Sequence, residues 1–409
     1  MAIQRQLFQT LTRRATPYPV VTLTGPRQSG KTTLCRQAFA HLPYANLEDA
    51  ATRQFAQTDP RGFLAQFPDG AILDEVQRLP DILSSIQVHV DEWRFNQAQQ
   101  PGAGDMRKFV LTGSQQLDLM GAVRQSLAGR TAVLRLLPLS LLELRHAGLP
   151  HGREHLMHCG GYPAVHTQRI KPADFFNDYF ETYIQRDLRE LVALRNLPEF
   201  RRMVRLCAGR VGQLLNYQSL ANDVGVSQNT ITAWVNLLET GYVLFLLPPW
   251  FENLGKRLIK SPKLYFYDTG LAAWLMGIED AAQLTTHPLR GHLFENLVIT
   301  EFAKYFENQG ERARLHFWRD SNGQEVDLIV ENGLPPGKLG LVEIKSSQTY
   351  HADFAKNLRQ VSKVLGSRVV RQMVVYGGAD HYIREGVEVV GIQAVTIQPS
   401  SGSTSAGRP

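Results

Sequence analysis

The chain has 409 residues, 43% hydrophobic and 20% charged, which suits two or three packed domains and marks an ordinary globular protein rather than a disordered one. A formal net charge of +6 permits contact with nucleic acid without requiring it, because surface distribution and not the total decides. Three widely spaced cysteines, Cys35, Cys159 and Cys207, make no metal-ligand pattern and fit free thiols in a reducing cytoplasm.

Met1 to Arg14 lacks the uninterrupted apolar stretch of a signal peptide. The strongest apolar run, Tyr242 to Phe251, is too short and proline-broken to span a bilayer, so the expectation is a cytoplasmic protein with no membrane partner. Residues 1–19 suggest an amphipathic helix with Ile3, Leu7 and Leu11 at helical spacing, ending at Pro17 and Pro19.

Val20 to Thr24 then reads as a strand that feeds Gly25-Pro-Arg-Gln-Ser-Gly-Lys-Thr32, a full G-x-x-x-x-G-K-[ST] loop, with a helical segment from Thr33. Strand, Gly-rich turn and helix form the context a phosphate loop requires. The glycines let backbone N–H groups converge on a triphosphate, Lys31 supplies positive charge to its β- and γ-phosphates, and Thr32 offers a hydroxyl to Mg²⁺. Gly25, Gln28, Ser29, Gly30, Lys31, Thr32 and Thr33 are the expected nucleotide contacts. A chance loop match is the alternative, and the flanking strand and a downstream acidic strand speak against it.

Tyr44 to Glu48 reads as a second strand, and Gly70-Ala-Ile-Leu-Asp74-Glu75 as a third that delivers two carboxylates to the ligand crevice. Asp74 is expected to hold Mg²⁺, directly or through water. Glu75 is expected to polarise the attacking water; the alternative is a solvated residue opening the next loop. Lys108 to Ser114 reads as the fourth strand, bringing Thr112, Gly113, Ser114 and Gln115 to the same sheet edge, with Ser114 a nucleotide contact; Thr131 to Leu137 is the fifth. Arg130, in Ser126-Leu-Ala-Gly-Arg130, is a candidate arginine finger or nucleotide sensor, in cis or in trans, or else a surface arginine in a turn. Residues 1–137 thus read as an alternating β/α unit with a parallel sheet.

Residues 138–210 turn mainly helical, interrupted by Gly160-Gly-Tyr-Pro163. Phe175, Phe176, Tyr179 and Tyr183 form an aromatic stripe expected in the core, with Arg186, Asp187 and Arg189 on a solvated or interdomain face. In 211–284, helix Tyr217 to Val224, a turn at Gly225, an N-cap at Ser227, helix Gln228 to Glu239 and an apolar ribbon within Tyr242 to Leu247 describe a winged helix-turn-helix. Gln228, Asn229, Thr230 and Thr232 would face a DNA groove, but that helix has little Lys or Arg and a protein-binding role fits equally.

In 285–396, Glu295 lies on a strong helical pattern, Phe317 to Val330 reads as a hairpin, and Leu341-Val-Glu-Ile-Lys345 as a strand. Alternation puts Glu343 and Lys345 on one face, and the neighbouring strand can bring Asp327 beside them. Paired carboxylates that repel without a divalent cation, plus a lysine to position water, are parts for metal-assisted phosphodiester hydrolysis; the alternative is a surface hairpin with an ordinary Glu–Lys pair. The Ser/Gly-rich stretch 397–409 is expected to be a disordered tail.

The series GPRQSGKTT, LDEVQ, LTGSQ, SLAGR, GGYP, YFYDTGL and VDLIVE…VEIKSS, in that order, resembles the AAA-like P-loop ATPases of prokaryotes that carry a C-terminal domain of unknown function. The resemblance implies ATP binding and hydrolysis. It also implies a C-terminal fold similar to restriction-endonuclease-like PD-(D/E)xK domains, with Glu295, Asp327, Glu343 and Lys345 on the motif positions and Val326 where the pattern's name has proline. The expected fold class is therefore α/β multidomain: a P-loop NTPase parallel sheet with helices on both faces, a helical and winged-helix middle, and a C-terminal α/β restriction-endonuclease-like domain. Three readings stay open. One is a Mg²⁺-dependent ATPase whose nucleotide state rearranges the other domains, with DNA a candidate partner and a homo-oligomer a candidate assembly. The second is an ATP-regulated metal-dependent DNA nuclease, and the third a nucleotide-switched binding module on an inactive nuclease-like scaffold.

Overall fold

The computed structural model describes residues 3–99, 108–113, 123, 126–150, 152–187, 196–250 and 261–394. The expectations placed on Ser114, Gln115, Arg189 and the tail 397–409 lie outside these residues.

Leu7 and Leu11 bury one face of helix α1 (Leu7–Ala15), and Pro17 and Pro19 then release the chain into an extended run. Strand β1 (Val20–Thr24) is buried at every position, as a parallel strand covered on both faces must be. Then come α2 (Lys31–Ala38), β2 (Tyr44–Asn46), α3 (Ala50–Thr58), α4 (Pro60–Ala65), β3 (Gly70–Asp74), α5 (Ile82–Gln99), β4 (Lys108–Gly113) and β5 (Thr131–Arg135). The five strands make one parallel sheet in the order β2-β3-β4-β1-β5. Alternate residues fill opposite faces: Val21, Leu23 and Ile72 join α1 and α2, while Val20, Leu73 and Phe109 pack on α4 and α5.

Helices α6 (Leu141–His146), α7 (Arg153–Cys159), α8 (Pro163–Thr167) and α9 (Pro172–Tyr179), a π-helical stretch Phe180–Asp187 and α10 (Leu197–Ala208) follow. The aromatic stripe is core, with Tyr162, Phe175, Phe176, Tyr179 and Tyr183 all buried. Helices α11 (Tyr217–Val224) and α12 (Gln228–Thr240) meet at Gly225, whose φ of 85° is the left-handed turn in which glycine ends helices. Ser227 caps α12 by accepting from Thr230 N.

The ribbon departs from the expectation. Strand β6 (Leu244–Leu247) pairs antiparallel with β7 (Lys263–Phe266) and not with a strand inside Tyr242–Leu247, because so short a run must find its hydrogen bonds on a second segment. Helix α13 (Thr269–Leu275) leads to α14 (Arg290–Asn308), which is buried along most of its length.

Strands β8 (Leu315–Arg319), β9 (Glu325–Val330) and β10 (Leu339–Lys345), helix α15 (Lys356–Leu365), and strands β11 (Val369–Tyr376), β12 (His381–Arg384) and β13 (Val387–Gly391) complete the fold. They form a separate mixed sheet in the order β12-β13-β11-β10-β9-β8. Helix α15 covers one face, and Phe302 and Phe306 of α14 lie with Leu328, Val330 and Val342 in the core on the other. Polar groups of α14 tie this sheet to the first domain: Glu307 takes Arg135 at 2.8 Å, Lys304 Nζ donates to Leu139 O at 2.9 Å, and Glu301 accepts from Leu141 N at 2.8 Å. No helix among the described residues is long and apolar enough to cross a membrane.

Candidate functional site

After Thr24 the chain folds back on itself before α2. At Gly25 (φ 144°) an added Cβ would lie 2.1 Å from Leu136 O, and Gly30 has φ 93°, so each turn needs a glycine. The buried Lys31 Nζ donates to the carbonyls of Gly25 (3.0 Å) and Pro26 (2.9 Å). Burial pulls its pKa down to about 8, against the opposing charges of Glu75 and Asp74. Thr32 Oγ1 and Tyr44 OH each donate to Asp74 Oδ2 at 2.8 Å, and the Thr112 hydroxyl donates to Asp74 Oδ1. Asp74 therefore ends β3 among three hydroxyls from three other elements, a set of hard oxygen donors suited to Mg²⁺. The next residue, Glu75, has φ 55° and accepts from Gln77 Nε2.

A cavity of about 590 Å³ opens on the loop, lined on one side by Gln28, Gly30, Lys31, Thr32, Thr33 and Glu75. Its other wall is largely apolar, from Ile3, Leu139, Pro163, Ala164, Ile170 and Phe175. Gly25, Ser29 and Asp74 are buried and are not among the lining residues.

Sequence reasoning missed Arg5. Its guanidinium donates to Ser29 O (2.6 Å), Leu137 O (2.6 Å) and Glu143 Oε1 (3.0 Å), bracing the phosphate loop at the cavity it lines. A lone arginine in a polar N-terminal stretch carries no pattern that could reveal this. Glu143 also accepts from Gln6 N and Ser140 N. Arg5→Met should therefore cost near the lower end of the about 3–5 kcal/mol seen when one partner of a buried ion pair is removed. Denaturant unfolding checks this, with wild-type stability the contrary result.

The Gly160-Gly161 and Asp268 segments form one lock. Buried Asp268 accepts from Gly161 N at 2.7 Å and Leu271 N at 3.1 Å, and a Cβ on Gly160 (φ 65°) would lie 2.0 Å from its carboxylate. Burial raises the Asp268 pKa, while the hydrogen bond from Gly161 opposes that. The lock sets Pro163 and Ala164 in the cavity wall.

Arg130 is not brought to this cavity. Its carbonyl accepts from Val20 N at the amino edge of β1, whereas the loop leaves the carboxyl edge, about 16 Å away at the rise of a parallel strand. Its guanidinium grips Asp91 through Nε (2.7 Å) and Nη2 (2.8 Å), an arrangement that raises the arginine pKa and lowers that of Asp91. Its guanidinium is thus held by Asp91 at the sheet edge opposite the loop, a placement from which a finger role points to a second copy. Arg130→Ala is expected to leave turnover in dilute protein within a few fold, against the about 10³–10⁵ lost when a true finger is removed. Phosphate release across a range of protein concentrations is the check, because a finger supplied by a second copy makes turnover depend on both concentration and Arg130.

The second constellation assembles at β9 and β10. Their register pairs Leu341 with Ile329 and Val342 with Leu328, which leaves Glu343 and Asp327 as the next residues along the two strands. Asp327 Oδ2 accepts from Ile344 N at 2.7 Å, and Lys345 Nζ stands 2.6 Å from Glu343 Oε1 and 3.5 Å from Asp327 Oδ2. Glu295 arrives from α14, and Glu295, Glu325 and Asp327 bring one oxygen each within 4.8 Å of one another. Glu325 was legible by alternation, two residues before Asp327, yet only the fold joins it to Glu295. Lys263 and Tyr265 also escaped notice: Lys263 Nζ pairs with Glu295 Oε1 (2.9 Å) and with Glu325, and the Tyr265 hydroxyl donates to the same Glu295 oxygen. The signal available was a lysine inside the apolar run Lys263-Leu-Tyr-Phe266.

Burial resists charge on Glu295, but Lys263 and hydrogen bonds from His292 and Tyr265 outweigh it and bring the pKa to about 2. Burial and the neighbouring Asp327 push Glu343 up to about 8 despite Lys345, and burial raises Asp327 as well.

Residues 17–145 match the AAA domain family, residues 151–282 a domain of unknown function (DUF8612), and residues 290–395 a second domain of unknown function (DUF4143). The chain is 33% identical over 390 residues to Uncharacterized protein Rv2008c of Mycobacterium tuberculosis and to Uncharacterized protein Mb2031c of Mycobacterium bovis, spanning 93% of this chain and 82% of each relative. It is also similar to a Walker-type ATPase of Pyrococcus abyssi (15% identity, TM-score 0.39, 67% of this chain and 96% of that one). A further likeness is to the ORC2 protein of Aeropyrum pernix in its ADPNP–ADP complexes (13% identity, TM-score 0.36, 68% and 93%).

Proposed function

This chain belongs to the family of the two mycobacterial proteins and carries an AAA domain, and on that premise we propose that it is a Mg²⁺-dependent ATPase working at Gly25–Thr32. The observation that carries the reading is the convergence of Lys31, the Thr32 hydroxyl and the Asp74 carboxylate at one sheet edge, with Glu75 on the lining of the same cavity. Lys31 and the loop N–H groups bind the phosphates, Thr32 and Asp74 hold Mg²⁺, and Glu75 holds the attacking water and takes its proton. Mg²⁺ supplies neutralisation of the phosphate oxygens. The apolar wall of Ile3, Pro163, Ala164 and Phe175 takes the nucleoside.

Nucleotide state reaches the C-terminal sheet through α14, whose Glu301, Lys304 and Glu307 bind the segment from Arg135 to Leu141 that follows on β5. Helices α11 and α12 with the β6–β7 ribbon are read as a winged helix, whose exposed Gln228 and Asn229 are the residues to meet DNA. Phosphate release by the full chain with Mg²⁺ tests the reading: ATP binding without turnover would leave a nucleotide-switched binding module. For the C-terminal cluster, the nuclease-like fold is read as an inactive scaffold rather than a nuclease, favoured by the Lys263 ammonium lying among its carboxylates.

A further inference from the structure

Three carboxylates whose oxygens lie within 4.8 Å of one another repel unless a cation stands among them. Here the cation is part of the chain. The Lys263 side chain is 4% exposed; its Nζ lies 2.9 Å from Glu295 Oε1, pairs with Glu325 and sits 5.5 Å above the Phe317 ring. Two residues along β7, on the same strand face, the Tyr265 hydroxyl donates to that Glu295 oxygen. Lys263 belongs to the β6–β7 ribbon, whereas the carboxylates belong to α14 and β9. The ammonium is therefore both the counter-charge of the cluster and a tie between the ribbon and the C-terminal sheet. Independently, Glu343 Oε2 is a buried oxygen with no hydrogen-bond partner among the described residues, on a side chain only 4% exposed whose other oxygen meets Lys345 beside Asp327. The Lys263 ammonium does not reach that oxygen.

We propose that Lys263 is the resident cation of the Glu295–Glu325–Asp327 cluster, and that a divalent ion can enter only by displacing its ammonium from Glu295 and Glu325. Lys263 and Tyr265 already occupy Glu295 Oε1, and a tethered ammonium faces a free ion at high effective concentration. The inference does not depend on whether the phosphate loop hydrolyses ATP, so failure of either leaves the other standing.

The test is calorimetric titration of MnCl₂ into the nucleotide-free full chain as wild type, Asp327→Asn, Lys263→Met and Lys263→Met with Asp327→Asn. Wild type and Asp327→Asn should titrate alike. Lys263→Met should gain a Mn²⁺ site at least about tenfold tighter than any in wild type, and the double variant should lose it. A Mn²⁺ site in wild type that Asp327→Asn abolishes would overturn the proposal, as would identical titrations of wild type and Lys263→Met. If Lys263→Met is soluble only with Mn²⁺ present, the metal has replaced the ammonium and the proposal stands. If it neither binds Mn²⁺ nor is stabilised by it, the proposal falls.

Discussion

Lys31→Ala is expected to weaken ATP binding at least about a hundredfold, since charged hydrogen bonds contribute about 1.5–3 kcal/mol each and 1.4 kcal/mol is a factor of ten. Lys31 is the loop's own ammonium on the cavity lining, and alanine leaves the carbonyls of Gly25 and Pro26 without their donor as well. A pH dependence follows from the same residue. With its pKa lowered to about 8, Lys31 is charged below that pH and neutral above it, so phosphate affinity is full at pH 7 and falls as pH rises. At pH 9 the charged fraction is about one tenth, giving about tenfold weaker binding in wild type and no such trend in Lys31→Ala. Titration with a fluorescent ATP analogue at pH 7 and 9 reads both effects; a flat profile in wild type would remove the assigned role from the lysine.

Glu75→Gln should keep ATP affinity within a few fold and lose about 10²–10⁴ of turnover, the usual contribution of a positioned general base. The amide preserves size and can still lie beside Gln77 but cannot take a proton from water. The structural motive is the left-handed backbone at Glu75, φ 55°, an uncommon conformation for a residue with a side chain, held where its carboxylate lines the cavity one step beyond Asp74. Single-turnover phosphate release separates the loss of chemistry from any change in binding. If the variant turns over like wild type, Glu75 only opens the loop and the water is activated elsewhere.

Local pattern carried the first domain. Five apolar runs at β/α spacing, a Gly-rich loop between β1 and α2, and an acidic end on β3 were all legible because strand burial, glycine turns and helix starts are written in neighbouring residues. The pairing of Glu343 and Lys345 on one face, with Asp327 beside them, was legible for the same reason, since a strand alternates with period two. The roles of Arg5, Arg130 and Lys263 were not. Arg130 stood close in sequence to the fourth strand, yet it immediately precedes β5, and the start of a parallel strand lies at the sheet edge opposite the loop. Arg5 reaches Leu137 and Glu143 across more than a hundred residues, and Lys263 meets Glu325 from a ribbon whose second strand no turn signal announced. Such contacts join segments whose sequences say nothing of one another. Which polar group a buried charge finds is decided only when packing brings the elements together and leaves that charge no water to pair with.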